Sequence, residues 1–335
     1  MRNRLFHAVL FLTFLAIPVF AQTPDEPVVA YVSGTTLTLA ASSGQVIQKI
    51  DLKHPVYNFA LSKDRKLLVI VYPDTETGGH MSLLNLQTHT QTRLTNGNLY
   101  FKVKDLDKGE TEVFDDPAFS PDGHSLAFAI HTDNPGDGND AINDSGPLAV
   151  MDLQTRKVRV LKSTENIDGQ GYCFSNTPMW SPDGKWILFS CESGGFITDA
   201  RGTTLRDLKL GTDQEADASP VSWVGNSCVL YVQNINATPG DYDGDEALLF
   251  NLHTSKSQNP ASLMTFPNRS VAGLTEASDS AFIRRTRSGR FIETNGKKWE
   301  FPEIKRILKN RYSWRAPSAH ILSGWKPSSI PPECK

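Results

Sequence analysis

The sequence predicts an all-β fold: a β-propeller of six four-stranded blades, closed by pairing of the N- and C-terminal segments. Three observations carry this. Two stretches are near-copies, Pro117-Ala-Phe-Ser-Pro-Asp-Gly-His-Ser-Leu-Ala-Phe128 and Pro178-Met-Trp-Ser-Pro-Asp-Gly-Lys-Trp-Ile-Leu-Phe189. They lie about sixty residues apart, and self-similarity at a fixed period of that size marks an array. Each copy centres on a tight turn between short apolar runs, which reads as a hairpin. A second strand–turn–strand follows each at variable distance, so one unit holds four strands, and radial repetition of such units gives a propeller.

The turn has a mechanism. Pro121 and Pro182 pre-set φ for the second position of a type I turn, Asp122 and Asp183 suit the next, and Gly123 and Gly184 accept a positive φ. Phe119 and Trp180 precede the turns, and Ala127-Phe128 and Ile187-Leu188-Phe189 follow them. Weaker copies extend the series. Ala60 to Val69 keeps Ser62 and Asp64 but loses Pro and Gly. Pro220 to Val232 keeps the flanking strands around a turn one residue shorter, and Leu274 to Ile283 is the poorest match. The second half-repeat is read in Leu83 to Thr88, Leu148 to Thr155, Leu248 to Thr254 and, near the start, Leu37 to Gly44. The first unit, from Val28, lacks the turn motif, and Ala319-His-Ile-Leu322 is the candidate strand that completes it. Completing it this way would cover strand edges otherwise open to aggregation. The alternatives are a ring of seven blades and an open sandwich of hairpins.

These residues resemble the TolB-like propeller repeat, Pro-x-Trp-Ser-Pro-Asp-Gly-x-x-Ile-x-Phe. Pro178 to Phe189 match it almost throughout and Pro117 to Phe128 nearly as well; with the weaker copies the resemblance covers most of residues 28–305. It implies a propeller fold and little about function, because the repeat also occurs in a periplasmic translocation protein, in propeller domains of serine peptidases and in many secreted proteins. The repeats are expected to begin directly after the leader, with no room for the N-terminal domain of TolB itself.

Residues 1–21 read as a secretory signal peptide. Arg2 and Arg4 form the positive region, Leu5 to Ile17 the apolar core and Val19-Phe20-Ala21 the cleavage site. An uncleaved anchor is the other reading; the charge-free stretch through Gln22 is short for a span and carries His7 and Pro18. The division is therefore signal peptide 1–21, propeller 22–315 and a ragged C-terminal tail 316–335. The mature chain is expected to be an exported monomer, periplasmic or secreted, with no transmembrane segment. Four cysteines suit an oxidising compartment. Cys173 with Cys191, and Cys228 with Cys334, are the disulfide candidates; buried free thiols are the alternative.

Charge is uneven. Residues 22–283 hold 19 Lys/Arg and 33 Asp/Glu, and residues 284–315 hold 11 basic and 3 acidic residues. The basic stretch alternates with Phe291, Ile292, Trp299 and Phe301, as on solvated strand faces, and is read as neutralising its acidic neighbours rather than as a site for an anionic partner. Nucleic acid is not an expected partner.

Equivalent loops of every blade open on one face. Two long insertions share one place, after the second strand of their units: His131 to Asp144 and Asn234 to Glu246. Shorter loops at that place are Pro73 to His80 and Glu192 to Asp199. One rim is thus rich in Asp, Asn and Gly, and the partner-binding surface is expected there. Its candidate residues are Asp74, Glu76, His80, His131, Asp133, Asp137, Asp140, Asp199, Asp241, Asp243, Asp245 and Glu246. Asp241, Asp243 and Asp245 form a candidate Ca²⁺ ligand set, with Asp133, Asp137 and Asp140 a second. Ordinary acidic loops read the same way. The EF-hand order is not met, since Gly244 precedes Asp245.

No residue is assigned as catalytic. There is no Gly-x-Ser-x-Gly elbow, His-Glu-x-x-His, phosphate loop or Gly-x-Gly-x-x-Gly opening a helix. Two functions remain: an exported non-catalytic scaffold binding a protein or peptide on the loop face, or a Ca²⁺-dependent hydrolase or lactonase with carboxylates at the channel mouth. Three or more carboxylates or imidazoles converging at one mouth would favour the enzyme.

Overall fold

A computed structural model describes residues 28–41, 45–72, 79–95, 99, 111–133, 144–164, 178–191, 194–210, 218–234, 245–260, 274–277, 281–286, 289–294, 297–300, 319–322 and 325–335. The chain is a β-propeller built from antiparallel sheets. Sheet 1 holds β1 (Val28–Ser33), β2 (Thr36–Ala41) and β3 (Val46–Asp51). Sheet 2 holds β4 (Asn58–Leu61), β5 (Leu67–Val71), β6 (Met81–Asn85) and β7 (Gln91–Arg93). Sheet 3 holds β8 (Thr111–Phe119), β9 (Ser125–Asp133), β10 (Asp144–Asp152) and β11 (Val158–Val160). Sheet 4 holds β12 (Met179–Trp180), β13 (Trp186–Cys191), β14 (Gly194–Asp199) and β15 (Leu205–Asp207). Sheet 5 holds β16 (Ala218–Val224), β17 (Cys228–Asn234), β18 (Asp245–Asn251) and β19 (Lys256–Gln258). Sheet 6 holds β20 (Leu274–Ala277), β21 (Ala281–Thr286), β22 (Gly289–Thr294) and β23 (Lys297–Glu300).

Each of sheets 2 to 6 is made of four consecutive strands in simple meander order. Sheet 1 is composite. Its fourth member is β24 (Ala319–Ile321), which pairs antiparallel with β1 in the register Val29↔Ile321, Ala30↔His320, Tyr31↔Ala319.

The Ser-x-Asp turns of sheets 2, 3 and 4 share one hydrogen-bond pattern. Ser120 Oγ donates to Asp122 Oδ1 at 2.5 Å and accepts from Ser125 N at 2.9 Å, while His124 N donates to Asp122 at 3.0 Å. Ser181, Asp183 and Trp186 repeat this at 2.7 and 3.0 Å, and Ser62, Asp64 and Leu67 at 2.7 and 2.9 Å. Each turn closes with an i+3 N–H on the Ser carbonyl, from Gly123, Gly184 and Arg65. The closing residue has φ of +74°, +71° and +59° respectively, so Arg65 occupies the left-handed position that glycine fills in the other two. The Asp therefore does more than fit a turn: it absorbs two donors that a tight hairpin leaves over.

The core lies between the sheets. Phe59, Leu68 and Ile70 of sheet 2 pack on Ala30, Leu37 and Leu39 of sheet 1. Val69 and Met81 meet Phe114, Phe128 and Ile130 of sheet 3, and Ala127 and Leu148 meet Ile187 and Phe189 of sheet 4. Leu188 meets Trp223 and Tyr231 of sheet 5, and Val221 and Leu230 meet Leu274 and Ala277 of sheet 6. A second tie repeats with the period. Trp180 Nε1 donates to the Ala118 carbonyl of sheet 3 at 3.0 Å, and Trp223 Nε1 to the Met179 carbonyl of sheet 4 at 2.9 Å.

The tail is not ragged at its end. Trp325 and Cys334 are buried in the groove between sheets 5 and 6, with Ile330 packed beside them. Trp325 Nε1 donates to Ser222 Oγ at 3.2 Å. Ser222 precedes Trp223 as Met179 precedes Trp180, so the tail supplies the next tryptophan of the ladder where sheet 6 has Ala277. Cys228 and Cys334 form a disulfide.

Candidate functional site

With the same strand order in every sheet, all second-to-third connections leave from one end, and the Ser-x-Asp turns from the other. That places the ends of β5, β9, β13 and β17, at Val71, Asp133, Cys191 and Asn234, on a common rim. Asp133 ends β9 opposite Thr111, and Asp245 opens β18 opposite Asn234. Glu246 is exposed and pairs with Gln233. Asp74, Glu76, Asp137, Asp140, Asp241 and Asp243 lie outside the described residues, as does Cys173.

Two rim assignments are corrected. Asp199 is not a rim residue. Gly194–Asp199 is strand β14, and Asp199 pairs with Trp186, at the end that carries the Ser-Pro-Asp-Gly turn. The glycine pair reads as a loop, yet Gly195 serves packing: a Cβ there would meet Leu210 Cδ1 at 2.4 Å. The Asp199 carboxylate organises the β14–β15 turn, accepting from Arg201 N at 3.1 Å and Thr203 N at 2.8 Å. Burial opposes ionisation there, but the Thr203 and Arg201 hydrogen bonds hold the carboxyl below its ordinary range. His131 is not in a loop either. It extends β9 opposite Val113 and Ser145 and is only 5% exposed. Burial lowers its pKa to about 4, so the imidazole is neutral at pH 7, and its Nδ1 has no hydrogen-bond partner among the described residues.

His80 sits where the connection of sheet 2 returns. Its ring stacks on Tyr72, with centroids 5.2 Å apart and planes at 28°. The adjacent Gly79 exchanges backbone hydrogen bonds with Phe114, which pins this connection to the first strand of sheet 3.

Below that rim the structure assembles a polar cluster absent from the sequence reading. The first strands β4 and β8 lie side by side, and β24 lies against sheet 2 through His320. Asn58 Nδ2 donates to Asp115 Oδ1 at 3.0 Å and to Asp116 Oδ1 at 2.8 Å. Asn58 Oδ1 accepts from Phe59 N at 2.8 Å and lies 3.3 Å from His320 Nε2, which must then be the protonated nitrogen. The His320 ring meets Phe59 edge-on, with centroids 5.0 Å apart. A register shift between Asp115 and Ala118 and a φ of +51° at Asp116 turn both carboxylates toward Asn58. Burial raises the Asp115 pKa well above the carboxylate range, and the Asp116 charge adds to it. Asp116 N, Asn58 and Tyr57 donate to it and offset part of that rise. Two adjacent carboxyls gathered on one amide, with the Asp115 pKa raised by burial, make a pairing able to share a proton or to receive a cationic group. Among the described residues no three His, Cys, Asp or Glu side chains come together to hold a metal ion.

A signal for this cluster existed. When the turn serines are aligned, Asn58 and Asp116 fall on one repeat position, four residues before Ser62 and Ser120. His320 lies on a strand with no turn to align, and no spacing could have placed it.

Fold and comparisons agree: the chain has the TolB-like β-propeller fold. It is similar to TolB from Acinetobacter baumannii, at 19% identity and TM-score 0.50, over 81% of this chain and 61% of that one. The chain thus spans less than two thirds of the length of that TolB. It is similar to an oligogalacturonate lyase in complex with manganese, at 13% identity and TM-score 0.52, over 88% and 84% of the two chains. A chain of a nidogen/laminin complex aligns at 10% identity and TM-score 0.52, over 90% and 100%. At these identities the likeness concerns the fold alone. No family profile matches the chain, and no curated protein sequence matches it. Among the described residues no helix is long and apolar enough to cross a membrane.

Proposed function

We propose that this protein is an exported, monomeric, non-catalytic propeller scaffold that binds a protein or peptide partner across its Asp/Gly-rich rim. In this reading the ring has six blades, the composite sheet 1 being the closing one through β24. One observation carries the proposal: the strands that flank the two long insertions, β9–β10 and β17–β18, all end on the same rim, two sheets apart. A rigid scaffold with variable, acidic loops on one face is the usual arrangement for recognition. The test replaces residues 135–142 and 236–243 with short Gly-Ser spans and cross-links the protein in the periplasmic or secreted fraction. Loss of a partner captured by the parent chain, with retention in a Lys185→Glu control on the opposite end, supports the rim. An unchanged partner set removes it.

Ca²⁺ is the ion we assign to Asp241, Asp243 and Asp245. Its binding would raise the melting temperature in millimolar calcium over that in chelator, and equal values would reject the assignment.

The second reading, a Ca²⁺-dependent hydrolase or lactonase, draws on the polar cluster of Asn58, Asp115, Asp116 and His320. It expects lactone or ester turnover that Asp116→Asn abolishes; absence of turnover across a lactone and ester panel counts against it.

A further inference from the structure

We infer that the C-terminal segment is a disulfide-locked latch: the Cys228–Cys334 bond holds Trp325–Cys334 in the groove between sheets 5 and 6, and through it holds β24, with His320, against sheets 1 and 2. This goes beyond the rim reading and does not depend on which partner the rim takes.

The premise is the weakness of β24 taken alone. It has three residues and three paired positions on β1, too short a ladder to stay in place unaided. Leu322 packs at the edge of the core between sheets 1 and 2, and from Trp325 onward the chain lies on sheets 5 and 6. A single short stretch therefore touches sheet 1 at one end and sheet 5 at the other. The far anchor is dense. Ser227 N donates to the Cys334 carbonyl at 3.2 Å, Ser227 Oγ to the Lys335 carbonyl at 3.3 Å, and Asn251 Nδ2 to the Glu333 carbonyl at 3.0 Å. Gln258 Nε2 reaches Glu333 Oε1 at 3.1 Å. Yet from Trp325 onward this segment contributes no strand among the described residues, so it has no ladder of its own to hold it. The disulfide makes this strandless segment a fixed point, and it closes a loop of 106 residues that contains sheet 6 and β24.

Opening the latch is a two-electron exchange with a dithiol reductant. One thiolate of the dithiol attacks a sulfur of the bridge and forms a mixed disulfide. The second thiol resolves it, leaving Cys228 and Cys334 as thiols and the reductant as a cyclic disulfide. Both cysteines are fully buried, so the exchange waits on local opening of the strap. Once the latch is open, His320 is no longer held at Asn58, and the Asp115–Asp116 cluster loses its third strand. The latch thereby makes the polar cluster conditional on an oxidising environment.

The test uses the full-length, oxidised, folded protein. Hydrogen exchange is followed by mass spectrometry before and after treatment with dithiothreitol, with alkylation confirming that Cys228 and Cys334 are both reduced. The expected result is about tenfold faster exchange at Val29–Tyr31 and Ala319–Ile321, with sheets 3 and 4 unchanged. The Cys228→Ser/Cys334→Ser variant should show the fast rates without reductant and no further change with it. Acceleration confined to residues 325–335 and the Val224–Cys228 turn would overturn the inference, reducing the bridge to a local staple. Equal acceleration in every sheet would overturn it as well, and so would a dithiothreitol response of β1 and β24 in the double serine variant. Because the parent protein is reduced only after it has folded, a variant that fails to fold leaves the experiment decisive.

Discussion

The turns of sheets 2 to 4 and the turn of sheet 5 solve one problem in two ways. In the first group the surplus backbone donors are satisfied in cis, by the Ser hydroxyl and the Asp carboxylate of the turn itself. In sheet 5 the turn has no Asp, and Ser227 N gives its hydrogen bond to the carbonyl of Cys334, over a hundred residues away. The same exchange holds for the tryptophan ladder, in which Trp180 and Trp223 come from neighbouring sheets but Trp325 comes from the tail. The lesson is that a repeat loses its signature where another segment takes over the signature's work. Degeneracy in sheet 5 marks the docking site of the tail, not decay of the motif.

The largest effect should come from Gly225→Ala. Its φ is +63°, and a Cβ there would stand 2.0 Å from the Cys334 carbonyl oxygen. In the full chain we expect a loss of about 2–4 kcal/mol, from strain plus displacement of the tail. In a chain ended after Leu322 only the backbone term remains, about 1 kcal/mol. Denaturant midpoints of the four proteins check this, and an equal cost in both backgrounds would break the comparison.

Asp183→Ala removes an acceptor of the cis kind and should cost about 1–2 kcal/mol, without regard to the tail. It also sharpens the acid limb. Ser120 and the His124 amide hold Asp122 below the usual carboxylate range, and Ser181 and Lys185 do so for Asp183 against the opposing effect of burial. Such a carboxylate stabilises the fold above its unfolded pKa, and that contribution is lost as pH falls through its lower folded pKa. Midpoints measured from pH 6 downward should fall more steeply in the parent than in Asp122→Ala/Asp183→Ala.

Arg65→Gly should stabilise by up to about 1 kcal/mol, because the residue carries a left-handed φ that glycine adopts freely. A loss instead would mean that the Arg65 side chain matters more than its backbone.

The smallest effect is expected for Asp115→Asn below the ordinary carboxylate range, where the carboxyl is protonated in the folded and unfolded chain alike. An amide oxygen accepts the same bonds from Asn58 and Asp116 N. The sign at higher pH follows from the raised folded pKa: the parent becomes less stable as pH rises from the ordinary carboxylate range toward that pKa, and the variant does not. Parallel pH–stability curves for the two proteins would show that Asp115 is ionised.

Much of the architecture was legible in the chain because turn chemistry is local. Ser120 to Ser125 and Ser181 to Trp186 specify their own hydrogen bonds, and β-rich runs on either side need no distant partner to be recognised. Asp199 misled for a local reason as well: two glycines in succession look like a loop until Leu210 is seen lying over one of them. The rim could be inferred from the position of insertions within the repeat. The cluster of Asn58, Asp115, Asp116 and His320 could not, since its members touch only across three sheets and one of them arrives from the far end of the chain.

By itself the sequence determined which segments become strands, where they turn and that they recur, since backbone dihedrals and short-range hydrogen bonds follow from residues within a few positions of one another. The tertiary structure alone decided that β24 joins β1, that Trp325 and Cys334 complete sheet 5, and that an amide on one inner strand gathers two carboxylates and an imidazole from others. Those contacts depend on the curvature that brings β24 to β1 and Trp325 and Cys334 to sheet 5, and curvature is a sum over the sheets that no single stretch of residues encodes.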